Sequence, residues 1–564
     1  MNFIEKILQR LEEEPDRIFQ EEVREGELRS ASGKQLLELV RSVRLILEEK
    51  GIQPGDRCVL IAPNSLRWTA VNLAVMAHGA LFVPLYARQA PAELAAMIRD
   101  CRPALVFCQD QAMRQSLAGF LDDISNAILL DEAFQSSGSG APPAAAGFGR
   151  TIRRPGADGV TIIYTSGTSG EAKGVVLTVA NLDHMLFCTD DRLSTLMRGS
   201  GSRPDRVYHY LPCNFAGSWI LMLTSLLRGS RLSLCTDLNR ITDDLPRISP
   251  DYFLNVPVLL ERVRKGMEEA VQKRGGLGLA IFRKALTALA REREGRARMG
   301  DLLWKVLADQ LIFKAVRKKM GGGLRALICG SAPLALETQQ FFMGMGIRVL
   351  QVYGLTETTA ICTMDHPDHV IPGMAGPAIQ GTEMKLGPQD EILVRGPHIF
   401  SGYWGRPAET AASFLDGWFR TGDQGTVDEG GNWQIIGRIK NLLILSSGHN
   451  IAPEPLEESL LKTIPGARQA LLVGHGRSFI TVLLTGEMEE SSVESALAKL
   501  NESLPHYRRI RAFRCLPESF TIENGLLTAN GKLKRDSILR RWAALVEEMY
   551  SASRPPAGAR KEAL

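Results

Sequence analysis

TSGTSGEAKG, residues 165–174, decides how this chain is read. One apolar run, VTIIY at 160–164, precedes it and another, VVL at 175–177, follows it. Both read as buried strand. Between them stand three glycines, four hydroxyl residues and one lysine. Glycine permits left-handed backbone and close approach. Successive N–H groups and hydroxyls can then wrap an anion, and Lys173 adds a positive charge. That is the chemistry of a polyphosphate cradle. The pattern differs from the usual P-loop, because the lysine precedes the last glycine and Val175 follows it. The element after the loop reads as strand, so no helix dipole is invoked. A plain Ser/Gly hairpin turn has the same composition, so the loop alone leaves both readings open.

A chain of 564 residues exceeds one core, so several domains or subdomains are expected. Hydrophobic content of 45% and charged content of 23% are those of an ordinary globular protein. A net charge of +4 argues against a dedicated nucleic-acid binder. Nine scattered cysteines contain no C-x-x-C, which points to buried reduced thiols in a cytoplasmic protein. His366 and His369 stand beside Pro367 in a loop-like stretch and are not expected to bind metal. The N-terminus, MNFIEKILQRLEEEPDR, reads as an amphipathic charged helix and not as a signal peptide. No apolar run is long enough to span a membrane.

Taken in order, residues 1–134 alternate helix-like and strand-like segments, which predicts a parallel, doubly wound sheet. Strands are expected at 57–61, 80–85 and 104–108, and helices at 68–80 and 92–100. Residues 135–149, QSSGSGAPPAAAGFG, are low-complexity and read as a mobile loop. Residues 262–320 are helical, polar and basic, with Leu303, Leu307 and Leu311 at helical spacing and Lys314, Arg317, Lys318 and Lys319 at the end. A helical excursion packed on the main body is the default reading, and peripheral attachment to an anionic membrane is the alternative. After Gly381 the text turns to short strands and Gly-rich turns, predicting a small antiparallel subdomain. A final segment follows residue 441, with strands at 470–473 and 479–484 and helices at 454–462 and 492–500. From Ser551 the tail reads as frayed.

Four further stretches carry nucleotide chemistry. Gly330, Ser331, Ala332 and Pro333 sit at a strand end, where α/β sheets place ligands. QVYGLTE at 351–357 offers a ring, a hydroxyl and a carboxylate suited to Mg²⁺. GWFRTGD at 417–423 puts Asp423 on a tight turn suited to two sugar hydroxyls, and GRIK at 437–440 adds cations. Each alone is an ordinary turn; five in one chain are hard to explain that way.

With TSGTSGEAKG, YGLTE, GWFRTGD, GRIKNLLILSSGHNIAPEPLE and TANGKLKR in this order, the chain resembles the AMP-forming acyl-CoA synthetase (adenylate-forming) superfamily over nearly its whole length. SSGHNIAPEPLE and FLNVPVLLERV at 253–263, with the helical excursion behind, look most like the long-chain fatty acyl-CoA ligases. The resemblance implies an α/β fold: a large N-terminal adenylation domain (1–440) of doubly wound sheets plus a small β-subdomain, then a small mobile α+β domain (441–550) and a tail (551–564). It implies a two-step reaction. A fatty acid carboxylate attacks the α-phosphate of MgATP to give acyl-AMP and pyrophosphate, and the thiol of coenzyme A then displaces AMP. Carried over by motif, Thr165, Ser166, Gly167, Thr168, Ser169, Gly170 and Lys173 would cradle the β- and γ-phosphates. Gly330, Ser331, Ala332, Pro333 and Tyr353 would hold adenine, with Gln351 and Gly354 in the same nucleotide site. Thr356 would contact the α-phosphate, Glu357 with Thr165 would hold Mg²⁺, and Asp423 and Arg438 would bind ribose. Lys532 would bridge the carboxylate and α-phosphate during adenylation. A hinge at Lys440 and Asn441 would then rotate the last domain, withdrawing Lys532 and bringing Gly448 and His449 to the thiol channel.

Three departures stand out. Ala172 replaces the usual proline of the loop, and Asn441 replaces an acidic residue near the hinge. Phe215 occupies the place where many relatives carry a histidine near the acyl carboxylate, which keeps a packing role and loses a polar one. Trp219 reads either as a gate to an acyl tunnel or as a core residue of a buried helix. The acceptor is expected to be coenzyme A, with an acyl-carrier protein as the rival; a decayed nucleotide binder is the non-catalytic alternative.

Overall fold

The computed structural model describes residues 1–24, 27–135, 156–166, 172–235, 237–293, 295–296, 298–528 and 531–551. Gly167, Thr168, Ser169, Gly170, the low-complexity stretch from 136, Asn530 and the tail from 552 lie outside the described residues.

Two large sheets form the N-terminal body. One runs, in spatial order, Gly402–Tyr403, Ala172–Thr178, Gly159–Ser166, Leu81–Leu85, Arg57–Ile61, Leu105–Cys108 and Ala127–Leu129. From Gly159–Ser166 onward its neighbours are parallel, while Ala172–Thr178 closes an antiparallel hairpin. LFVPL and LVFC are wholly buried, as parallel strands covered on both faces must be. The other sheet has eight strands, in which Arg348–Tyr353, Ala326–Cys329, Tyr252–Asn255, Arg206–His209 and Arg231–Cys235 are successive parallel neighbours. The doubly wound reading therefore holds. A difference lies at the N-terminus: Ile18–Arg24 and Glu27–Ser32 form a hairpin that joins this second sheet beside Arg231–Cys235, two hundred residues later in the chain.

The helix expected at 68–80 is Leu66–Ala77. It starts earlier because Ser65 caps it, its hydroxyl accepting from the Trp68 N–H at 3.1 Å. The basic excursion consists of helices Pro257–Arg274, Gly276–Arg293, Asp301–Ala308 and Lys314–Lys319, with a π-helical turn Asp309–Phe313. Phe282 anchors it, its ring meeting Phe313 at 6.4 Å and Phe341 of the main body at 6.2 Å.

The small antiparallel subdomain is present as a five-stranded sheet that includes Glu391–Arg395, Trp418–Val427 and Trp433–Arg438. After it, Ala467–Val473, Ile480–Gly486 and Ile510–Leu516 form a three-stranded sheet with its own core of Leu456, Leu460, Leu472 and Val482. The strand Ile510–Leu516 and the helices Arg535–Arg541 and Ala543–Ser551 were not expected from the sequence. All nine cysteines are free thiols.

Candidate active site

In doubly wound sheets such as these, ligands bind in the cleft outside the C-terminal ends of the parallel strands. Arg348–Tyr353 leads into it, and a 3-10 turn, Thr356–Thr358, carries Glu357. Gly354 has to be glycine: a Cβ there would lie 2.2 Å from the Ala360 carbonyl oxygen. The Tyr403 hydroxyl donates to Glu357 Oε1 at 2.9 Å, and the other carboxylate oxygen has no protein partner among the described residues. Among those residues no three His, Cys, Asp or Glu side chains converge as a metal-binding group. A single, half-satisfied carboxylate suits Mg²⁺, which takes one or two protein carboxylates and fills its shell with phosphate and water.

Beside it, Asp423 and Arg438 face each other across two strands of the β-subdomain. Arg438 Nε lies 2.7 Å from Asp423 Oδ1, and the Tyr353 hydroxyl donates to Asp423 Oδ2 at 2.7 Å. Burial pushes the Asp423 carboxyl up, while Arg438, Tyr353 and Lys532 pull it back. Each oxygen keeps a further lone pair for a sugar hydroxyl. Lys532 projects from a turn in which the Thr528 N–H donates to the Lys532 carbonyl at 2.8 Å. The residue as a whole is exposed, yet its ammonium reaches the Asp423–Arg438 pair, where protein crowds it. Desolvation and then Arg438 hold it below the ordinary lysine range, against the opposing pull of Asp423. Lys440 is similarly lowered to about 8, first by desolvation and then by Arg438. Arg438, Lys440 and Lys532 thus crowd positive charge around one carboxylate, an arrangement primed for a polyanion.

The AMP-binding enzyme family matches residues 8–404, and the AMP-binding enzyme C-terminal domain family matches residues 440–554. The chain belongs to the AMP-binding enzyme family. Long-chain-fatty-acid–CoA ligase FadD15 of Mycobacterium bovis is 28% identical over 96% of this chain and 95% of its own. Putative fatty-acid–CoA ligase fadD11 of Mycobacterium tuberculosis is 30% identical over 71% of this chain and 75% of its own. Among solved structures, the adenylation domain of a carboxylate reductase from Mycobacterium chelonae superimposes with a TM-score of 0.74, at 20% identity, over 98% of this chain and 91% of that one. ATP-bound MatB from Rhodopseudomonas palustris gives 0.71, at 23% identity, over 97% and 100%. These two show a shared fold.

Within this AMP-binding enzyme, Thr165 and Lys173 face each other at the base of the loop hairpin, and the Thr165 hydroxyl donates to the Lys173 carbonyl at 3.5 Å. The Lys173 ammonium is already engaged, paired with Glu409 and lying 5.3 Å from the Tyr403 ring centroid. The turn at 330–333 emerges on the cleft side with Ser331 at φ +73, a left-handed conformation that a non-glycine residue adopts only under local constraint. Gln351 differs from the expectation. Its side chain is buried and donates to Gln339 and to the Met374 carbonyl, both at 2.9 Å, so it braces the strand. Thr356 shares the turn of Glu357.

Phe215 immediately precedes helix Ala216–Arg228 and packs on Tyr86 with ring centroids 5.9 Å apart. Trp219 is wholly buried in the main core and donates its indole N–H to Asn72 at 3.2 Å, the arrangement expected of the core reading of this residue. Lys440 and Asn441 lie in a 3-10 turn between the domains, where the Asn441 amide donates to Glu454 at 2.6 Å. Gly448 occupies an exposed turn at φ +83, and His449 stacks on Tyr507 at 4.3 Å. Among the described residues nothing ties Gly448 or His449 to the cleft that holds Lys532.

Sequence reading missed the ties between the domains. Lys534 Nζ pairs with Glu93 of the N-terminal domain at 2.8 Å, two residues beyond Lys532. Lys462 pairs with Glu337 at 2.9 Å. It also missed the Lys173–Glu409 pair. No local signal marks partners so far apart in the chain.

Proposed function

We propose that this AMP-binding enzyme activates a medium- to long-chain fatty acid with ATP and Mg²⁺ and passes the acyl group to coenzyme A. The observation that carries the reading is the meeting of Lys532, from the last domain, with the Asp423–Tyr353–Arg438 group of the first. The names of its curated relatives support the fatty-acid substrate.

In the first step a carboxylate oxygen attacks the α-phosphorus and the bond to pyrophosphate breaks. The carboxylate is its own nucleophile, so the protein has to position two anions and neutralise the charge that develops. Lys532 is assigned to the approaching carboxylate and the α-phosphate. Asp423 and Arg438 are assigned to ribose, Tyr353 with the 330–333 turn to adenine, and Thr356 to the α-phosphate. Lys173 is assigned to the leaving pyrophosphate, which requires it to exchange Glu409 for phosphate. Mg²⁺, when bound through Glu357 and the Thr165 hydroxyl, would neutralise phosphate charge. In the second step the coenzyme A sulfur attacks the acyl carbon and AMP departs. That step is assigned to a rotated arrangement about Lys440 and Asn441, with Gly448 and His449 lining the thiol path.

The test is a panel of fatty acids from short to very long, read as ATP–pyrophosphate exchange and as thioester formed with coenzyme A or with an acyl-carrier protein. The reading expects exchange that rises with chain length and a coenzyme A thioester. Exchange with transfer only to the carrier would replace the acceptor. ATP binding without pyrophosphate release would overturn the enzymatic reading.

A further inference from the structure

Met299, Leu302, Leu303, Val306 and Leu311 are 100%, 64%, 57%, 50% and 61% exposed. They lie just before and along helix Asp301–Ala308 and the π-helical turn Asp309–Phe313. Leu302 and Val306 are one α-helical turn apart, on the same face. Leu311 follows in the π turn and is itself exposed, so the exposed aliphatic surface extends past the end of the helix. The opposite face is already satisfied: Ala308 and Phe313 are buried in the core, and Trp304 lies beneath Lys284 at 4.0 Å. A helix that only covered the body would show polar residues on the outside. Contiguous exposed aliphatic side chains instead mark a contact surface.

The charge around this stripe is one-sided. Residues 262–320 hold sixteen Lys and Arg against six Asp and Glu, whereas the whole chain has 67 against 63. Four of the six acids are paired within the excursion, as Glu268 with Arg264, Glu292 with Lys305, Asp301 with Arg291 and Asp309 with Arg317. Lys314 and Lys318 are exposed and fall in line with Leu311 at helical spacing, and Lys319 adjoins them.

We propose that this face docks the protein on an anionic lipid bilayer, with Leu302, Leu303, Val306 and Leu311 entering the headgroup–acyl boundary and Lys314, Lys318 and Lys319 meeting lipid phosphates. The charge excludes the simplest rival, since a second copy of the chain would bring two basic surfaces face to face. A protein partner would be expected to meet aromatic anchors, and none of these five exposed side chains is aromatic. The proposal is independent of the catalytic reading, because docking requires neither ATP nor acyl substrate.

The experiment is flotation of the full chain with phosphatidylcholine vesicles, with and without phosphatidylserine, at low and high salt. The parent should float with the anionic vesicles at low salt and lose most of that binding at high salt. Leu303→Glu with Val306→Glu, both at exposed positions, should lower the bound fraction about tenfold. Lys314→Glu with Lys318→Glu should also lower it and flatten the salt dependence. Unchanged thermal melting would show that each variant folds. Absence of flotation at low salt, equal binding to neutral vesicles, or variants that float like the parent would each overturn the proposal. So would a dimer in solution that the Leu303→Glu, Val306→Glu variant splits.

Discussion

Glu93→Gln tests whether the Lys534–Glu93 contact holds Lys532 in the cleft. The pair closes at 2.8 Å, and its side chains keep 26% and 44% of their exposure. The Gln89 amide also donates to Glu93, at 2.7 Å. Burial alone would raise the Glu93 carboxyl, but the Lys534 and Gln89 hydrogen bonds outweigh it and leave the group below its usual range. The charge pair is therefore present at neutral pH and is lost only as pH falls through that lowered value. A partly exposed pair of this kind contributes about 0.5–1 kcal/mol, which is about a two- to fivefold change in a two-state population. The Lys462–Glu337 pair is a separate tie, so Glu93→Gln with Glu337→Gln should give about a 4- to 25-fold change if the two add. The assay is rapid-quench pyrophosphate release from fatty acid and ATP, set beside the conversion of supplied acyl-AMP by coenzyme A. Glu93→Gln should slow the first within that range and leave the second undiminished. Glu93→Lys with Lys534→Glu should restore it, and high salt should narrow the difference. Equal slowing of both half-reactions, or failure of the charge swap to restore adenylation, would refute the latch.

Lys532→Ala should abolish most pyrophosphate release yet still convert supplied acyl-AMP with coenzyme A; loss of both would place Lys532 outside the adenylation step alone. Gly448→Leu should keep ATP–pyrophosphate exchange and lose thioester formation, while surviving thioester formation would move the thiol path elsewhere. Glu409→Gln should tighten ATP binding about two- to fivefold in calorimetry by freeing Lys173, and weaker binding would show that Glu409 supports the site. Burial holds His209 at about 4 and His398 at about 3, both below the ordinary 6.5, so each is neutral when folded and takes a proton on unfolding below about 6.5. Their contribution is complete above that value and falls by about 2 kcal/mol each by pH 5. Asp365, raised to about 7 by burial, acts in the opposite direction. His398→Gln should therefore lose less thermal stability than the parent between pH 7.5 and 5, and an identical loss would refute the assignment.

The doubly wound class was legible because strands such as LVFC and LFVPL are continuous apolar runs separated by helix-length segments. The cleft was legible because strong local chemistry marks its residues: Glu357 follows a strand and Arg438 ends one, whereas Asp423, expected on a tight turn, lies within the strand Trp418–Val427 and is held there by pairing with Arg438. What remained hidden was set by tertiary contact. The hairpin at Ile18–Ser32 joins a sheet whose other strands come much later, and nothing local selects that partner. Trp219 shows a different limit: an apolar helix reads alike whether its indole lines a tunnel or, as here, reaches Asn72 in the core. Lys534 and Glu93 are 441 positions apart, and each alone is an ordinary surface charge.

These hidden contacts share a pattern that bears on mechanism. Each cation assigned to ATP or the acyl carboxylate stands near an acid of the protein: Lys173 is paired with Glu409, Arg438 with Asp423, and Lys532 lies within the field of Asp423. The acids have unequal fates. Asp423 is held by Tyr353 and Arg438 at once, and it can accept sugar hydroxyls without giving up either. Glu409 belongs to the short helix Pro407–Ala412 beside the loop hairpin, and on the proposed assignment a phosphate would compete with it for the Lys173 ammonium. Substrate binding, so assigned, would involve a competition of anions at Lys173, whereas at Asp423 it would add to an existing network. A site built this way keeps its cations positioned before ATP arrives, and the ammonium paired with Glu409 is the one we assign to the leaving pyrophosphate. On the proposed assignment, a triphosphate would be favoured over a monophosphate, because AMP at Asp423 would bring no phosphate to compete with Glu409 for Lys173.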